Sequence, residues 1–296
     1  MQLFLEQVFN GIGAGAVYAS VALALVLIYK STGLLNFAQG EMALFSTYVT
    51  WWLAAEKDID IVPAIVLSCA FAFVAGAAIE RILIRPVEGS THNPLNVVIV
   101  TLGMFLAINS LALLIFGTEQ EQMPNVFPKD SYDIGGAALQ KETLGLLAML
   151  VGECAVLWAL LQKTKLGLRL RGVASNAESS RLVGINTGLM LMLGWGFAAV
   201  LGALAGSMVA STRTGFDASL MQIILVYAFA AAALGGFDSL IGAVVGGLLV
   251  GVAQSLTTEY VTALDGIETV LPLGLILAVL LVRPNGLFGR RTVERV

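Results

Sequence analysis

GLRLRGVASNAESSRLVGIN, residues 167–186, is a polar and basic island between two long apolar runs, Leu144 to Leu161 and Leu189 to Val209. Lys163 and Lys165 precede it and Arg169, Arg171 and Arg181 lie within it, so five positive charges meet a single acid, Glu178. An apolar run of about 20 residues crosses a bilayer as a helix, and short loops rich in lysine and arginine stay on the cytoplasmic side. The pattern predicts an all-α polytopic membrane protein with the loop 163–186 inside.

The island carries helix punctuation of its own. Ser175, followed three residues later by Glu178, reads as a capping box, in which each side chain satisfies a backbone N–H of the first turn. Gly184 offers the left-handed residue that closes a helix, with Ile185 as its apolar lid. A helix of about two turns cannot hold together alone in water, because isolated helices need about 12–15 residues. Either it rests on the cytoplasmic ends of its own bundle and the arginines only fix topology, or it is a knob for a separate subunit. In the second case Ala177, Leu182 and Val183 face a groove and the arginines form the rim.

Working outward, the chain has 296 residues, 58% hydrophobic and 12% charged, against about 25% charged in soluble domains. Lipid is the expected solvent. No basic segment with a short apolar run and cleavage site precedes the first span, so a removable signal peptide is not expected. The net charge of −4 is sorted by loop, which gives nucleic-acid binding no support. Cys69 and Cys154 fall in apolar runs and make no disulfide framework. His92 is the single histidine, in a loop beside Asn93 and Pro94, and reads as solvated. A metal site of cysteines and histidines is therefore not expected.

Further runs of bilayer length are Val8 to Ile28, Ile61 to Ile79 and Leu95 to Phe116. Shorter or glycine-crowded runs start near Met42, Met221 and Leu240, and the last, Val270 to Val282, contains Pro272 and ends at Arg283. About nine spans result, with eight and ten as bounds, in a single transmembrane domain, 1–296. With an outside N-terminus, Lys30, Arg81, Arg85, the five loop charges, Arg283, Arg290, Arg291 and Arg295 are inside, and only Lys57, Lys129, Lys141 and Arg213 are outside. This is the bias that orients membrane proteins. The segments Glu119 to Glu142 and Glu259 to Glu268 then lie outside, and neither reads as a folded domain.

Two short stretches point to a pathway. In VYASVALALVLIYKSTGLLNFAQGEMALFSTY, residues 17–48, Gly33 breaks the first helix and Asn36, Gln39 and Glu41 open the next. The apolar run Met42 to Ala55 is short for a crossing and fits a broken or re-entrant segment; a plain helix start explains Asn36 and Glu41 equally. In LGGFDSLIGAVVGGLLVG, residues 234–251, Gly242 and Gly246 stand four apart on one helix line, and Gly247 and Gly251 repeat the spacing on the next. Such spacing lets helix backbones touch; a lining of bare backbone is the other reading. Gly235, Gly236 and Ser239 form the turn before it, with Asp238 as a candidate cap. A pair of short or broken runs in opposite halves marks midplane sites in transporters. Glu153 stands near the middle of its run, where a carboxylate is costly and by default functional; alternatively Gly152 marks a tight contact at which Glu153 bonds across. Trp51, Trp52, Trp158 and Trp195 read as interfacial anchors or packing.

Three features, in the order in which they stand along the chain, resemble the bacterial branched-chain amino acid ABC transporter permeases, of the first-subunit type. They are the sequence Tyr29-Lys30-Ser31-Thr32-Gly33 with Asn36-Phe37-Ala38 and Gly40, the basic capped loop, and the paired glycines, and the likeness runs from about Gly11 to Gly286. It implies an importer permease fold in the bacterial plasma (inner) membrane. It also implies a second permease chain, two cytoplasmic ATPase subunits and an extracytoplasmic solute-binding protein. The cargo would be branched-chain or other hydrophobic amino acids, with urea or short amides in relatives.

On that resemblance Arg169, Arg171, Ala177, Glu178, Arg181, Leu182 and Gly184 would couple to the ATPase. Asn36, Phe37, Gly40, Glu41 and Glu153 are candidates for the pathway, and Gly242, Gly246, Gly247 and Gly251 for helix packing. The sequence has no Gly-x-x-x-x-Gly-Lys-Ser/Thr phosphate loop, so no cofactor is expected on this chain; ATP and Mg would sit in the partners. An ion-coupled carrier or channel for a small polar solute, working alone, would need intramembrane charges beyond Glu153. An intramembrane enzyme would need a catalytic constellation, and none is visible.

Overall fold

The computed structural model describes residues 2–90, 94–261, 270–283 and 285–289; His92 and Asn93 and the arginines at 290, 291 and 295 lie outside them, as does most of the segment 259–268. In chain order the helices are α1 (Gln2–Thr32), α2 (Gln39–Trp51), α3 (Ile61–Ile79), α4 (Arg85–Ser90), α5 (Pro94–Phe116), α6 (Lys141–Lys163), α7 (Lys165–Ser175), α8 (Ala177–Leu182), α9 (Thr187–Thr212), α10 (Leu220–Gly235), α11 (Leu240–Tyr260) and α12 (Val270–Val282). Two π-helical turns, Trp52–Glu56 and Glu80–Ile84, continue α2 and α3. Six helices are long and apolar enough to cross a membrane: α1, α3 with its extension, α5, α6, α9 and α11. Among the described residues the shorter apolar helices α10 and α12, and α2 with its π turn (13 and 5 residues), add to these six. The polytopic all-α expectation holds.

The chain divides into two units. The first comprises residues 1–26, 127–150 and 223–296. Its core is a close approach of α1 and α11. A Cβ at Gly247 would lie 2.5 Å from the Ala19 Cα, and one at Gly15 2.8 Å from the Leu248 Cα. Gly242 and Gly246 instead meet α10, against the carbonyls of Gly235 and Ala231. The two glycine lines thus face two different helices, and neither carries a side chain that would hold them apart. Tyr18 donates to Gln254 at 2.8 Å and stacks on Tyr227 with ring centroids 4.8 Å apart.

Helix α11 starts on Ser239, whose hydroxyl accepts the Gly242 N–H at 3.0 Å. The cap is therefore Ser239 and not Asp238. Past α12, the turn 285–289 donates the N–H groups of Leu287 and Phe288 to the carbonyls of Leu234 and Gly235 at 2.8 and 3.0 Å. Two acceptors that the end of α10 leaves open are thereby satisfied. Within the segment that does not read as a folded domain, residues 131–140 form a hairpin, β1 (Ser131–Ile134) with β2 (Ala137–Gln140). Its two-residue turn needs positive φ twice, and Gly135 (67°) and Gly136 (84°) supply it.

The second unit comprises residues 27–126 and 151–222. Helix α9 is its axis, with α2 and α3 packed on it. Gly202 faces Gln39 and Ala43, Gly206 faces Thr47 and the Ala43 carbonyl, and Gly76 of α3 faces Trp195 and Ala199. Polar residues on the buried α2 bond inward: Thr50 to Ser207 at 2.8 Å, and Gln39 to the Ala198 carbonyl at 3.0 Å. The exposed faces of α3 and α5 are apolar, with Val66, Val74, Leu106 and Leu114 turned outward, as lipid-facing helices require.

Candidate functional site

The basic loop folds as two helices. Thr164 caps α7 by accepting the Gly167 N–H at 2.9 Å. Gly167 itself lies on the backbone of Leu160 and Leu161, where only a glycine lets α7 fold back so tightly on α6. Leu170 and Val173 are buried, while Leu168, Arg169 and Arg171 are exposed, with Arg171 on Gln162 at 3.0 Å. Ser175 is absorbed into α7, so the expected capping box does not form. Asn176, held extended at φ −158° and ψ 104°, caps α8 instead by accepting the Ser179 N–H at 2.8 Å.

At the other end Gly184 (φ 81°) donates to Arg181 and Ile185 donates to Ser180, both at 3.0 Å. This double bond around a left-handed residue is a Schellman motif. It leaves Leu182 and Val183 standing outward, 88% and 76% exposed. Ala177 and Glu178 are exposed beside them, and Arg181 turns back to donate to the Thr187 hydroxyl at 2.9 Å. Asn176→Ala should destabilise α8 by about 1 kcal/mol, and Gly184→Ala by about 1–2 kcal/mol through its left-handed backbone. Hydrogen exchange of the α8 amides would register both.

An ion pair that the sequence reading missed sits beside this loop. Arg85 donates to both oxygens of Glu80, at 3.2 and 2.6 Å, and to the Gly188 carbonyl at 2.7 Å. It therefore ties the end of α3 to the first turn of α9, next to the Arg181–Thr187 contact. The Glu80 side chain is 1% exposed and that of Arg85 36%. Arg85→Ala should cost about 2–3 kcal/mol by stranding the acid. Adding Glu80→Gln should recover part of the lost thermal stability.

The break between α1 and α2 lies deep within the spans. Ser31 is opposite Gly194, and Gln39 bonds to Ala198, about 10 and 16 Å along α9 from its first residue at ~1.5 Å per residue. Between them Gly33 turns at φ 72° and is exposed, while Asn36 and Ala38 are buried. Asn36 accepts the Ala38 N–H at 3.0 Å and donates to Gln39 at 3.3 Å. Phe37 is half-buried and Gly40 buried at the start of α2. Helix α2 is continuous from Gln39 through its π turn and does not turn back on itself, so of the two readings a plain helix start after the break at 33–38 is the one the structure holds.

Glu41 follows, fully buried, and accepts from the Asn109 amide at 2.9 Å; the same amide group donates to the Ala218 carbonyl at 3.0 Å. Seven residues further along each helix, Tyr48 of α2 stacks on Phe116 of α5 at 4.9 Å and 7°. Phe216 lies 5.0 Å from the Tyr48 ring and Trp51 6.4 Å from Phe116. Phe216 is pinned by two backbone bonds to Glu121, at 2.9 and 2.8 Å. In the same loop the Ser219 hydroxyl and N–H, at 2.6 and 2.8 Å, hold the Asp217 carboxyl below its ordinary range. An apolar cavity of about 160 Å³ lies between α2, α3, α5 and α9, lined by Met42, Phe45, Phe71, Ala75, Ile108 and Leu111 among others.

Glu153 is buried at the midpoint of α6. A Cβ at Gly152 would meet nothing within 4 Å, so Gly152 marks no tight contact. The structure thus gathers Asn36, Gly40 and Glu41 at one break and the loop residues on one elbow. Among the described residues no group of three histidine, cysteine, aspartate or glutamate side chains could hold a metal ion.

A chain with six helices, among the described residues, long and apolar enough to cross a membrane and with shorter apolar ones besides has the make-up of a multi-pass permease, the non-catalytic membrane subunit of an ATP-binding cassette importer of the bacterial inner-membrane kind. It belongs to the family described as branched-chain amino acid transport system / permease component, which it matches over residues 7–280. It is 30% identical over 322 residues to the high-affinity branched-chain amino acid transport system permease protein LivH of Escherichia coli, covering 99% of this chain and 98% of that one. Pseudomonas aeruginosa BraD, of the same description, is 28% identical over 306 residues, with 99% and 98% covered. A probable LivH of Methanocaldococcus jannaschii is 29% identical over 286 residues, with 91% and 87% covered.

Proposed function

We propose that this chain carries branched-chain or related hydrophobic amino acids inward as one of two permease chains, and that the elbow α7–α8 docks in a groove of a cytoplasmic ATPase. Two ATPase subunits hold the ATP and Mg, and an extracytoplasmic binding protein delivers the cargo. The observation that carries the docking is the exposure of Leu182 and Val183 on a helix only six residues long, fixed at both ends by caps. Two large apolar side chains held out in water, with arginines beside them, have the make-up of an interface core and rim. Residues 163–186 act as the coupling loop of one permease domain spanning 1–296.

The pathway runs past the break before α2. Irregular backbone at membrane depth is tolerated where protein buries it or where it lines a water-filled route, and exposed Gly33 next to buried Asn36 fits the second. ATP-driven closure of the ATPases would press on the elbow and shift α9 against α2, changing which side the route opens to. Reconstitution of the complex tests the reading: leucine uptake should require ATP, both ATPase subunits and the binding protein. Accumulation by this chain alone under an ion gradient would overturn it.

A further inference from the structure

The Glu41 carboxyl is fully buried; Oε2 accepts from the Asn109 amide at 2.9 Å, the Gln222 side chain is its other polar neighbour, and Oε1 has no donor within hydrogen-bond distance. Among the described residues it makes no ion pair. A buried acceptor left without a donor costs about 1–3 kcal/mol, more where it is charged, so the arrangement is incomplete as it stands. What completes a carboxylate at this depth is a cation with N–H donors, and an ammonium group brings three. Asn109 is already oriented by the Ala218 carbonyl at 3.0 Å, so it need not reorganise when a cation arrives.

We propose that Glu41, held in place by Asn109, anchors the α-ammonium group of the amino acid in transit while its aliphatic side chain occupies the cavity of about 160 Å³ whose walls include Met42 and Ile108. These two are the chain neighbours of Glu41 and Asn109, and Ser46 is the polar residue among the walls. Seven residues further along α2 and α5, Tyr48 and Phe116 stack on each other beside Phe216, and aromatic ring faces attract an ammonium. The assignment rests on the importer reading above.

The test uses the full complex with its ATPases and binding protein in membrane vesicles and follows labelled leucine and valine. Glu41→Gln should lower leucine uptake about tenfold or more, the loss expected for a charged hydrogen bond, with the amount of assembled complex unchanged; Glu41→Asp should keep a measurable share. Ala75→Leu, which narrows the cavity, should lower the maximal rate for leucine several-fold more than that for valine, a split that a purely structural role would not give. Wild-type rates in Glu41→Gln, loss of assembled complex in both Glu41 variants, or equal effects of Ala75→Leu on both cargoes would each overturn the assignment. A wild-type complex that imports no leucine would overturn the importer reading instead.

Discussion

A chain carrying Leu182→Asp and Val183→Asp is expected to lose ATP-driven uptake by about 30-fold or more while unfolding at the wild-type temperature. The two side chains are 88% and 76% exposed, so the fold gains almost nothing from them, and exposed substitutions away from special features stay within about 0.5 kcal/mol. An apolar contact at the centre of an interface, in contrast, is worth about 2 kcal/mol or more, a factor of about 30. Aspartate adds the cost of burying a charge against an apolar groove. Arg181 is a less clean probe, because its guanidinium also holds Thr187 and its loss would loosen the elbow itself. Uptake and binding-protein-stimulated ATP hydrolysis, measured on the same vesicles, decide the matter: stimulation that survives the double substitution removes the docking.

The same elbow marks how far the sequence could be read. The closing role of Gly184 followed from its lack of a Cβ. The start of α8 did not, because Ser175 and Asn176 are both good caps and only the reach of α7 decides between them. Helix α7 was missed altogether: two glycines and two arginines in 11 residues hide a stripe of Leu166, Leu170 and Val173. Hydropathy found the long spans but read α2 as too short, since Gln39 and Glu41, the polar residues at its start, bond to Ala198 and Asn109 and so cost little in place. The turn Gly135–Gly136 between Tyr132 and Leu139 was a readable hairpin signal and was passed over. Tyr48, Phe116 and Phe216 meet only in three dimensions, and no local pattern announces them. Asn109, a lone amide in an apolar run, could have been singled out by the reasoning applied to Glu153.

Gly247→Leu should reduce the amount of folded chain in the membrane more than any other single change considered for the first unit. Between helices in lipid there is no hydrophobic drive, and association depends on van der Waals contact and hydrogen bonds that only close approach allows. At Gly247 the neighbours of a new Cβ are the Ala19 Cα and N, both at 2.5 Å; these are backbone atoms and cannot rotate away. A leucine therefore drives α1 and α11 apart, and with the contact goes the reciprocal one, Gly15 against Leu248, and the Tyr18–Gln254 hydrogen bond of 2.8 Å. Overpacking alone costs about 1–3 kcal/mol and the hydrogen bond about 1 kcal/mol more, a large part of the 5–15 kcal/mol that holds a typical protein folded. Gly103→Ala is the control, since a Cβ there meets nothing within 4 Å and alanine is the better helix former by about 1 kcal/mol. Yield and thermal midpoint in mild detergent should fall for the first and hold or rise for the second; equal behaviour of the two would mean that α1 and α11 are not in backbone contact.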